Sequence, residues 1–350
     1  MTTSSQVTHR QAWRRTDNYA PGAAKLKLVT EELPLPLDPT SALVKVHAVS
    51  LNYRDANIAN GGNPWPVIPN GILGNDAAGE VIAVGSKVRT LKVGDRVAPV
   101  IDTELITGRE TGRSWLAANE DGVMADHIVF DETRLVKLPE HLDWVSAATI
   151  PCAGTTAWSA VKGASPGKTV LIQGTGGVSM FALKLSRAAG ARVILSSSSD
   201  EKLAKVKARY PSPPILTVNY NKTPNWEDEV IRLTKGAGVD IVIENGGAPS
   251  LVQSIKCTRR GGVVSQVGYL GKQDPSKLKE LIPVIIDRRV TLRGINAGTK
   301  FDMEDLCEAL SSSQTQLDDV IDQVFPFDRA EDAVQFVWEG KQMGKVVLRL

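Results

Sequence analysis

The sequence predicts an α/β chain of two domains, one β-rich and barrel-like, the other a doubly wound parallel sheet. Three observations predict it. At 350 residues the chain is long enough for two ordinary domains, which run to roughly 100–200 residues each. Closely spaced, strand-like apolar runs fill the part up to about residue 150. From Thr169 onward strand-like runs alternate with helical ones.

Taken in order, Gln11-Ala12-Trp13-Arg14 reads as a first strand. Arg10, Arg14 and Arg15 in an acid-poor start also fit a transit peptide, and the sequence alone leaves both readings standing. Strands follow at 43–49, 81–84, 96–100 and 127–130, with Gly85, Gly94 and Asp95 as turn residues between them. The second domain's strands are expected at 169–173, 192–196, 215–218, 240–244, 263–267 and 290–294. Amphipathic stretches lie between most of them, and six strands joined by crossovers make a doubly wound sheet. Beyond about residue 298 a helical segment, the pair Val324-Phe325 and Val346-Val347-Leu348 return the chain to the first domain. The expected domains are therefore 1–150 with 298–350, and 151–297.

Composition narrows the function. Hydrophobic residues at 42% and charged residues at 23% fit a folded globular chain. The formal net charge is +2 and no long stretch carries one sign, which argues against nucleic acid or an anionic membrane and for a small-molecule substrate. Cys152, Cys257 and Cys307 are odd in number and far apart, unlike a disulfide framework or a zinc ribbon, so a reducing cytoplasm is expected. No apolar run approaches the ~20 residues of a membrane span, and the polar opening Met1-Thr2-Thr3-Ser4-Ser5 is unlike a secretory signal.

The chemistry-bearing motif is Gly174-Thr175-Gly176-Gly177-Val178-Ser179, which directly follows the apolar strand Val170-Leu171-Ile172-Gln173 and opens a helical run. That is the context in which a glycine loop binds a dinucleotide. Glycine at 174 permits the tight turn, glycine at 176 lets the backbone approach a pyrophosphate, and the helix N-terminus offers free amides. Ser179 stands where the fingerprint has a third glycine for close packing. Past the second strand the chain reads Ser196-Ser197-Ser198-Ser199-Asp200-Glu201-Lys202. Hydroxyls at Ser197 and beyond, with the Lys202 cation, suit a 2′-phosphate and favour NADP(H). Asp200 as a ribose acid is the competing reading, and Ser198 with Glu201 also fits a capping box.

Several further motifs, in order, resemble the medium-chain dehydrogenase/reductase superfamily, in particular its zinc-independent branch of quinone-oxidoreductase-like and alcohol-dehydrogenase-like proteins. They are Ser50-Leu51-Asn52-Tyr53-Arg54-Asp55, Gly74-Asn75-Asp76-Ala77-Ala78-Gly79-Glu80-Val81, Val93-Gly94-Asp95-Arg96-Val97, Pro151-Cys152-Ala153-Gly154-Thr155-Thr156-Ala157-Trp158, the glycine loop and Gly344-Lys345-Val346-Val347. The resemblance implies a GroES-like substrate domain and a Rossmann domain with the active site in the cleft between them. Zinc-dependent members carry a cysteine at the place of Asn52 and a G-H-E at that of Gly74-Asn75-Asp76, and only the sulfur of Cys152 survives of the ligand set. A catalytic zinc takes three protein ligands and an open position, so no metal is expected here. The four-cysteine lobe is replaced by a polar stretch, about 101–125, with Arg109, Arg113 and Trp115. His9, His47, His127 and His141 are too scattered to substitute as ligands.

Without zinc, hydrogen-bond donors must polarise the acceptor and supply a proton. The resemblance puts Asn52, Tyr53 and Asp55 at the site, with the Tyr53 phenol as acid or orienting group, or as cavity lining beside a water that delivers the proton. Asp55 then orients Asn52 or Arg54. Thr156 resembles the threonine that touches the nicotinamide, with Cys152 beside it, reactive or merely packed. Tyr220 resembles a residue covering the adenosine phosphate. Gly268, Ile295 and Ala297 mark strand ends whose backbone would bind the carboxamide. Lys345 would pair with the pyrophosphate or stand on the surface. The expected function is an NADPH-dependent reductase of a carbonyl-conjugated C=C bond or a quinone. A zinc-free alcohol dehydrogenase or carbonyl reductase, and a dinucleotide-binding protein with little turnover, are the alternatives. Oligomeric state stays open, with a homodimer through the Rossmann sheet edge as the arrangement the family offers.

Overall fold

A computed structural model describes residues 7–350, so the opening residues 1–5 lie outside the described part. The chain divides into two compact units, one running up to Thr155 and resuming at Thr299–Leu350, the other spanning Thr156–Gly298. The junctions fall after Thr155 and after Gly298, where 150 and 297 were expected.

The first unit opens with β1 (His9–Arg15) and β2 (Leu26–Glu32), an antiparallel pair. Arg10 and Arg14 of β1 pair with Glu31 of β2 and with Asp121, and Arg15 is buried. These arginines are thus part of the folded first unit. The main sheet is built from β3 (Ser41–Leu51), β4 (Asp76–Val84), β5 (Arg96–Pro99), β6 (His127–Asp131) and β7 (Leu135–Lys137). Strand β3 is almost wholly buried because it is paired along both edges, and the short helix α1 (Tyr53–Ala59) leaves directly from its end. Helix α1 was not foreseen as an element. It follows extended Asn52, whose backbone N–H donates to the Asp55 carboxylate at 2.7 Å. Then come α2 (Trp144–Ala147), a single π-type turn at Ile150–Gly154, and α3 (Thr155–Ala160) at the junction.

The second unit alternates β8 (Thr169–Gln173), α4 (Gly177–Ala188), β9 (Arg192–Ser197), α5 (Asp200–Arg209), β10 (Leu216–Asn219) and α6 (Trp226–Leu233). It continues with β11 (Val239–Glu244), α7 (Leu251–Cys257), β12 (Thr258–Gln266), α8 (Leu281–Arg288) and β13 (Thr291–Gly294). All six strands are parallel in the order β10-β9-β8-β11-β12-β13, the doubly wound topology expected. Strand β12 starts five residues before the expected 263 because Thr258 pairs with Val239 ahead of a bulge. Leu171, Ile194, Val242 and Val264 from the sheet pack with Val230, Leu251 and Ile255 from the helices.

The chain returns to the first unit through α9 (Lys300–Ser313), β14 (Ile321–Pro326), α10 (Ala330–Trp338) and β15 (Lys345–Arg349). Strand β15 pairs antiparallel with β3, with Val346 opposite Leu51, and α10 packs against α1. That pairing brings Lys345 beside Asn52. Among the described residues no helix is long and apolar enough to cross a membrane.

Candidate active site

In the second unit most of the expected cofactor residues follow the carboxyl ends of strands, where parallel sheets bind ligands, and Thr156 lies in α3. Gly174 closes β8 with φ +80°, a left-handed conformation that strains any residue with a Cβ. Gly176 is the N-cap of α4, with Gly177 and Val178 in its first turn, and a Cβ at 176 would meet no atom within 4 Å. Amides of a helix start thus border an open space, which fits a phosphate.

Ser179 does more than fill the third glycine's place. Its hydroxyl donates to the Gln173 carbonyl at 2.7 Å and accepts from Asn245 Nδ2 at 3.3 Å, so it ties α4 to the ends of β8 and β11. Beneath the loop, Glu244 at the end of β11 is fully buried and accepts from Gln173 Nε2 (2.6 Å), Ser250 Oγ (2.6 Å), the Gly246 and Gly247 amides (2.8 and 3.0 Å) and Ser254 Oγ. Neither role had been anticipated. The available signal was an acid closing the apolar strand Ile241-Val242-Ile243.

Ser197 ends β9, and its carbonyl accepts the Tyr220 amide at 3.2 Å, which brings these two expected cofactor residues together. Ser197 Oγ accepts from the Ser199 amide at 3.3 Å, so its own O–H is not used in that bond. Helix α5 is capped by Ser199, whose hydroxyl accepts from Lys202 N at 3.2 Å. The cap is one residue later than the Ser198–Glu201 box anticipated, because the extended chain continues through Ser199. Asp200 accepts from Asn219 Nδ2 at 2.6 Å and pairs with Lys222. The Lys222 ammonium and the Asn219 amide hold its carboxyl below the usual carboxylate range. Gly268 follows β12, where a Cβ would stand 3.0 Å from the Asn245 carbonyl, and Ile295 donates its amide to Gln266. Ala297 is held at φ +60°, and Thr156 is buried in the first turn of α3.

In the first unit, β3, β4 and β15 converge on one polar cluster. Lys345 Nζ donates to Asn52 Oδ1 at 2.6 Å and to Asp76 Oδ2 at 3.2 Å. Asn52 Nδ2 donates to Asn75 Oδ1 at 3.0 Å and to the same Asp76 oxygen at 2.9 Å. Lys345 is 2% exposed and Asp76 and Asp55 are wholly buried. Desolvation pushes the Asp55 carboxyl up to about 6 and raises Asp76 too, against the pull of Lys345 and Asn52. Desolvation and the neighbouring Asp76 charge push the half-buried Cys152 thiol up to about 12, which disfavours the nucleophilic thiolate at neutral pH.

This arrangement corrects two expectations. Lys345 is not a surface residue: it is buried and supplies the cation beside the buried Asp76 carboxylate. Asn52 is not a free donor toward a substrate, because both of its N–H groups are engaged. Asp55 accepts the Asn52 backbone amide and not the Asn52 side chain, whose N–H groups go to Asn75 and Asp76. Tyr53 is 44% exposed, and its ring stacks on Trp338 with centroids 6.3 Å apart. The neighbouring Arg54 donates to the Leu116 carbonyl at 2.9 Å and lies over Trp115, which lies with Arg113 in the polar stretch.

The cluster does not fit zinc. A divalent cation needs lone pairs converging on it, and here an ammonium already donates to Asn52 and Asp76. His47 stacks on Trp144, His127 sits beside Asp126, His141 contacts the Thr315 carbonyl and His9 contacts Thr8. Among the described residues no group of three or more His, Cys, Asp or Glu side chains could hold a metal.

Residues 38–140 match the family model of the alcohol dehydrogenase GroES-like domain, and residues 177–312 match that of the zinc-binding dehydrogenase. The second match contains none of Asn52, Asn75, Asp76 and Cys152. A zinc-type alcohol dehydrogenase-like protein of Schizosaccharomyces pombe is 37% identical, over 94% of this chain and 96% of that protein. The crystal structure of a putative alcohol dehydrogenase from Sinorhizobium meliloti is 30% identical with a TM-score of 0.86, covering 98% of this chain and 99% of that one. A quinone oxidoreductase structure from Coxiella burnetii is 26% identical with a TM-score of 0.73, covering 98% and 99%. With a GroES-like unit, a doubly wound unit and relatives that match along nearly its whole length, the chain belongs to the medium-chain dehydrogenase/reductase superfamily of oxidoreductases.

Proposed function

We propose that this protein is an NADPH-dependent, zinc-independent reductase of a carbonyl-conjugated C=C bond or a quinone. One observation carries the reading: the buried Lys345 ammonium bonded to Asn52 and Asp76 leaves fixed charge and hydrogen bonds, and no Lewis acid, to polarise the acceptor. Substrates that spread the developing negative charge over an enolate or a quinone ring need the least polarisation, which favours them over simple ketones.

When bound, the reduced nicotinamide supplies the hydride. Gly174, Gly176, Gly177 and Val178 would hold the pyrophosphate, and Thr156, Gly268, Ile295 and Ala297 the nicotinamide end. Ser197, Lys202 and Tyr220 would hold the adenosine 2′-phosphate. NADPH is supported by Asp200, which is bonded to Asn219 and Lys222 and so drawn away from a role as ribose acid. Tyr53 carries an exposed phenol that forms no hydrogen bond to a described residue, and it would donate to the substrate oxygen as charge grows there. Small molecules in the cytoplasm remain the proposed substrates.

The relative from Sinorhizobium meliloti, a putative alcohol dehydrogenase, supports a second reading, an alcohol dehydrogenase or carbonyl reductase, which in this chain would work without zinc. NADPH oxidation with a panel of enones, quinones and aldehydes, on protein dialysed against a strong chelator, decides between them. Turnover of enones or quinones that survives chelation is expected, and turnover of aldehydes alone favours the second reading. Binding of NADPH without any turnover leaves a cofactor-binding protein. Elemental analysis showing about one zinc per chain overturns the metal-free site.

A further inference from the structure

We infer that Lys345 is the resident cation of this active site: a positioning residue that orders Asn52, Asn75 and Asp76 and by its charge keeps a divalent metal out. The inference deepens the zinc-independent reading above and rests on it.

Its basis is the placement of one side chain that arrives from the far end of the sequence. Strand β15 pairs with β3 so that Val346 faces Leu51, and the preceding residue, Lys345, reaches the cluster at the end of β3. Two of its three N–H groups take Asn52 Oδ1 and Asp76 Oδ2. The carboxamide of Asn52 is thereby held in one orientation, with oxygen toward the ammonium and nitrogen toward Asn75 and Asp76. A metal in the same place would need Asn52 and Asp76 to turn their lone pairs to it while a full positive charge stood within hydrogen-bond distance. The ammonium and the metal are therefore mutually exclusive.

The cluster is also not fully satisfied. Asp55 Oδ1 and Asn75 Nδ2 are buried and lack a hydrogen-bond partner in the protein, while Asp76 also meets the Cys152 backbone amide. Two such atoms beside one buried cation leave hydrogen-bonding capacity in the cluster for a bound polar group. Asn52 itself is only partly buried, so the field of the fixed cation reaches its accessible side. Negative charge that develops on a substrate oxygen there meets a positive potential in place before the reaction begins, with no reorganisation needed.

A double variant separates positioning from charge balance. Lys345→Met with Asp76→Asn replaces the buried pair by neutral groups of similar size, a change that folds commonly tolerate. We expect NADPH affinity, read from quenching of intrinsic fluorescence, and KM to stay within about threefold of wild type, while kcat falls ~100-fold, the usual effect of losing one preorganised charge stabiliser. A kcat within about threefold of wild type overturns the inference, since Lys345 would then merely neutralise Asp76.

A second arm needs no turnover, so it stands even if every substrate in the panel fails. Asn52→Cys supplies a thiolate beside Cys152 and Asp76, a three-ligand set, in an otherwise complete chain. With Lys345 present this variant should show no thiolate-to-metal charge-transfer band on titration with Co(II). With Lys345→Met added, the band should appear. Equal bands in both backgrounds, or none in a folded double variant, overturn the exclusion of metal by Lys345.

Discussion

The rings of Tyr53 and Trp338 stack with centroids 6.3 Å apart and planes inclined by 16°. The first belongs to α1 and the second ends α10, and the packing of these two helices sets the direction of the Tyr53 phenol. Replacing Tyr53 by Phe keeps the stack and removes only the hydroxyl. We expect turnover to fall ~100-fold or more while NADPH binding is unchanged, as for loss of one transition-state donor. Steady-state kinetics on several good substrates, beside a fluorescence titration of NADPH, test this. Unchanged kcat returns Tyr53 to cavity lining, with water as the proton source.

Asp55 makes a prediction about stability. Burial raises its carboxyl from 3.8 to about 6, so the folded state holds the proton more tightly than the unfolded chain. Its contribution is therefore fully present below about pH 4 and is lost as pH rises through about 6. Asp55→Asn mimics the protonated form and still accepts the Asn52 amide. The variant should lose this component of the pH dependence and be more stable than wild type at pH 7–8 by about 1–3 kcal/mol. Urea unfolding at pH 4, 6 and 8 reads this directly. A variant less stable than wild type at pH 8 shows that the ionised carboxylate is needed for the cap.

The fold was legible because its signals are local. Period-2 runs marked the strands, and the glycine loop marked the turn from β8 into α4. What escaped was short or long-range. Helix α1 covers only Tyr53–Ala59 and is stabilised by the Asp55 cap and by burial of Ala56, Ile58 and Ala59, none of which gives a periodic signal over so few residues. Within the site, the resemblance singled out Asn52, Asp76 and Lys345 separately, yet nothing in the chain says that residues 293 positions apart share a hydrogen bond. The pairing of β15 with β3 decides that, and with it the place of Lys345 as a buried cation. Glu244 was missed for a similar reason. An acid at a strand end reads as solvated until the five donors around it are seen.

The edge of the second unit's sheet predicts self-association. Strand β13 has a paired neighbour on one side only, and Ile282 and Ile286 on α8 are 65% and 69% exposed, with Leu292 on β13 also exposed. An open edge flanked by apolar side chains is a liability that pairing with an identical edge about a two-fold axis removes. We expect light scattering to give a dimer for wild type and a shift toward monomer for Ile286→Glu with Leu292→Lys. A wild-type monomer at micromolar concentration rejects the arrangement.

We expect cofactor choice to be decided just past β9. Ser197 and Tyr220 are joined by the Tyr220 amide, and Lys202 stands in the first turn of α5 behind the Ser199 cap. The carboxylate that could discriminate in the other sense, Asp200, is bonded to Asn219 and Lys222. Ser197→Asp should therefore move preference from NADPH toward NADH, since a carboxylate there repels a 2′-phosphate and accepts from a 2′-hydroxyl. Lys202→Ala should weaken NADPH by about one to two decades, the effect of losing a charge-assisted contact of ~1.5–3 kcal/mol, and leave NADH almost unchanged. Lys222→Ala works from the opposite side: freed of its cation, Asp200 becomes available to a ribose, and NADPH should weaken relative to NADH. Fluorescence titration of both dinucleotides into wild type and the three variants checks all of this. Tighter NADH than NADPH binding in wild type, or equal weakening of both by Lys202→Ala, would make Asp200 the selective residue despite its bonds to Asn219 and Lys222.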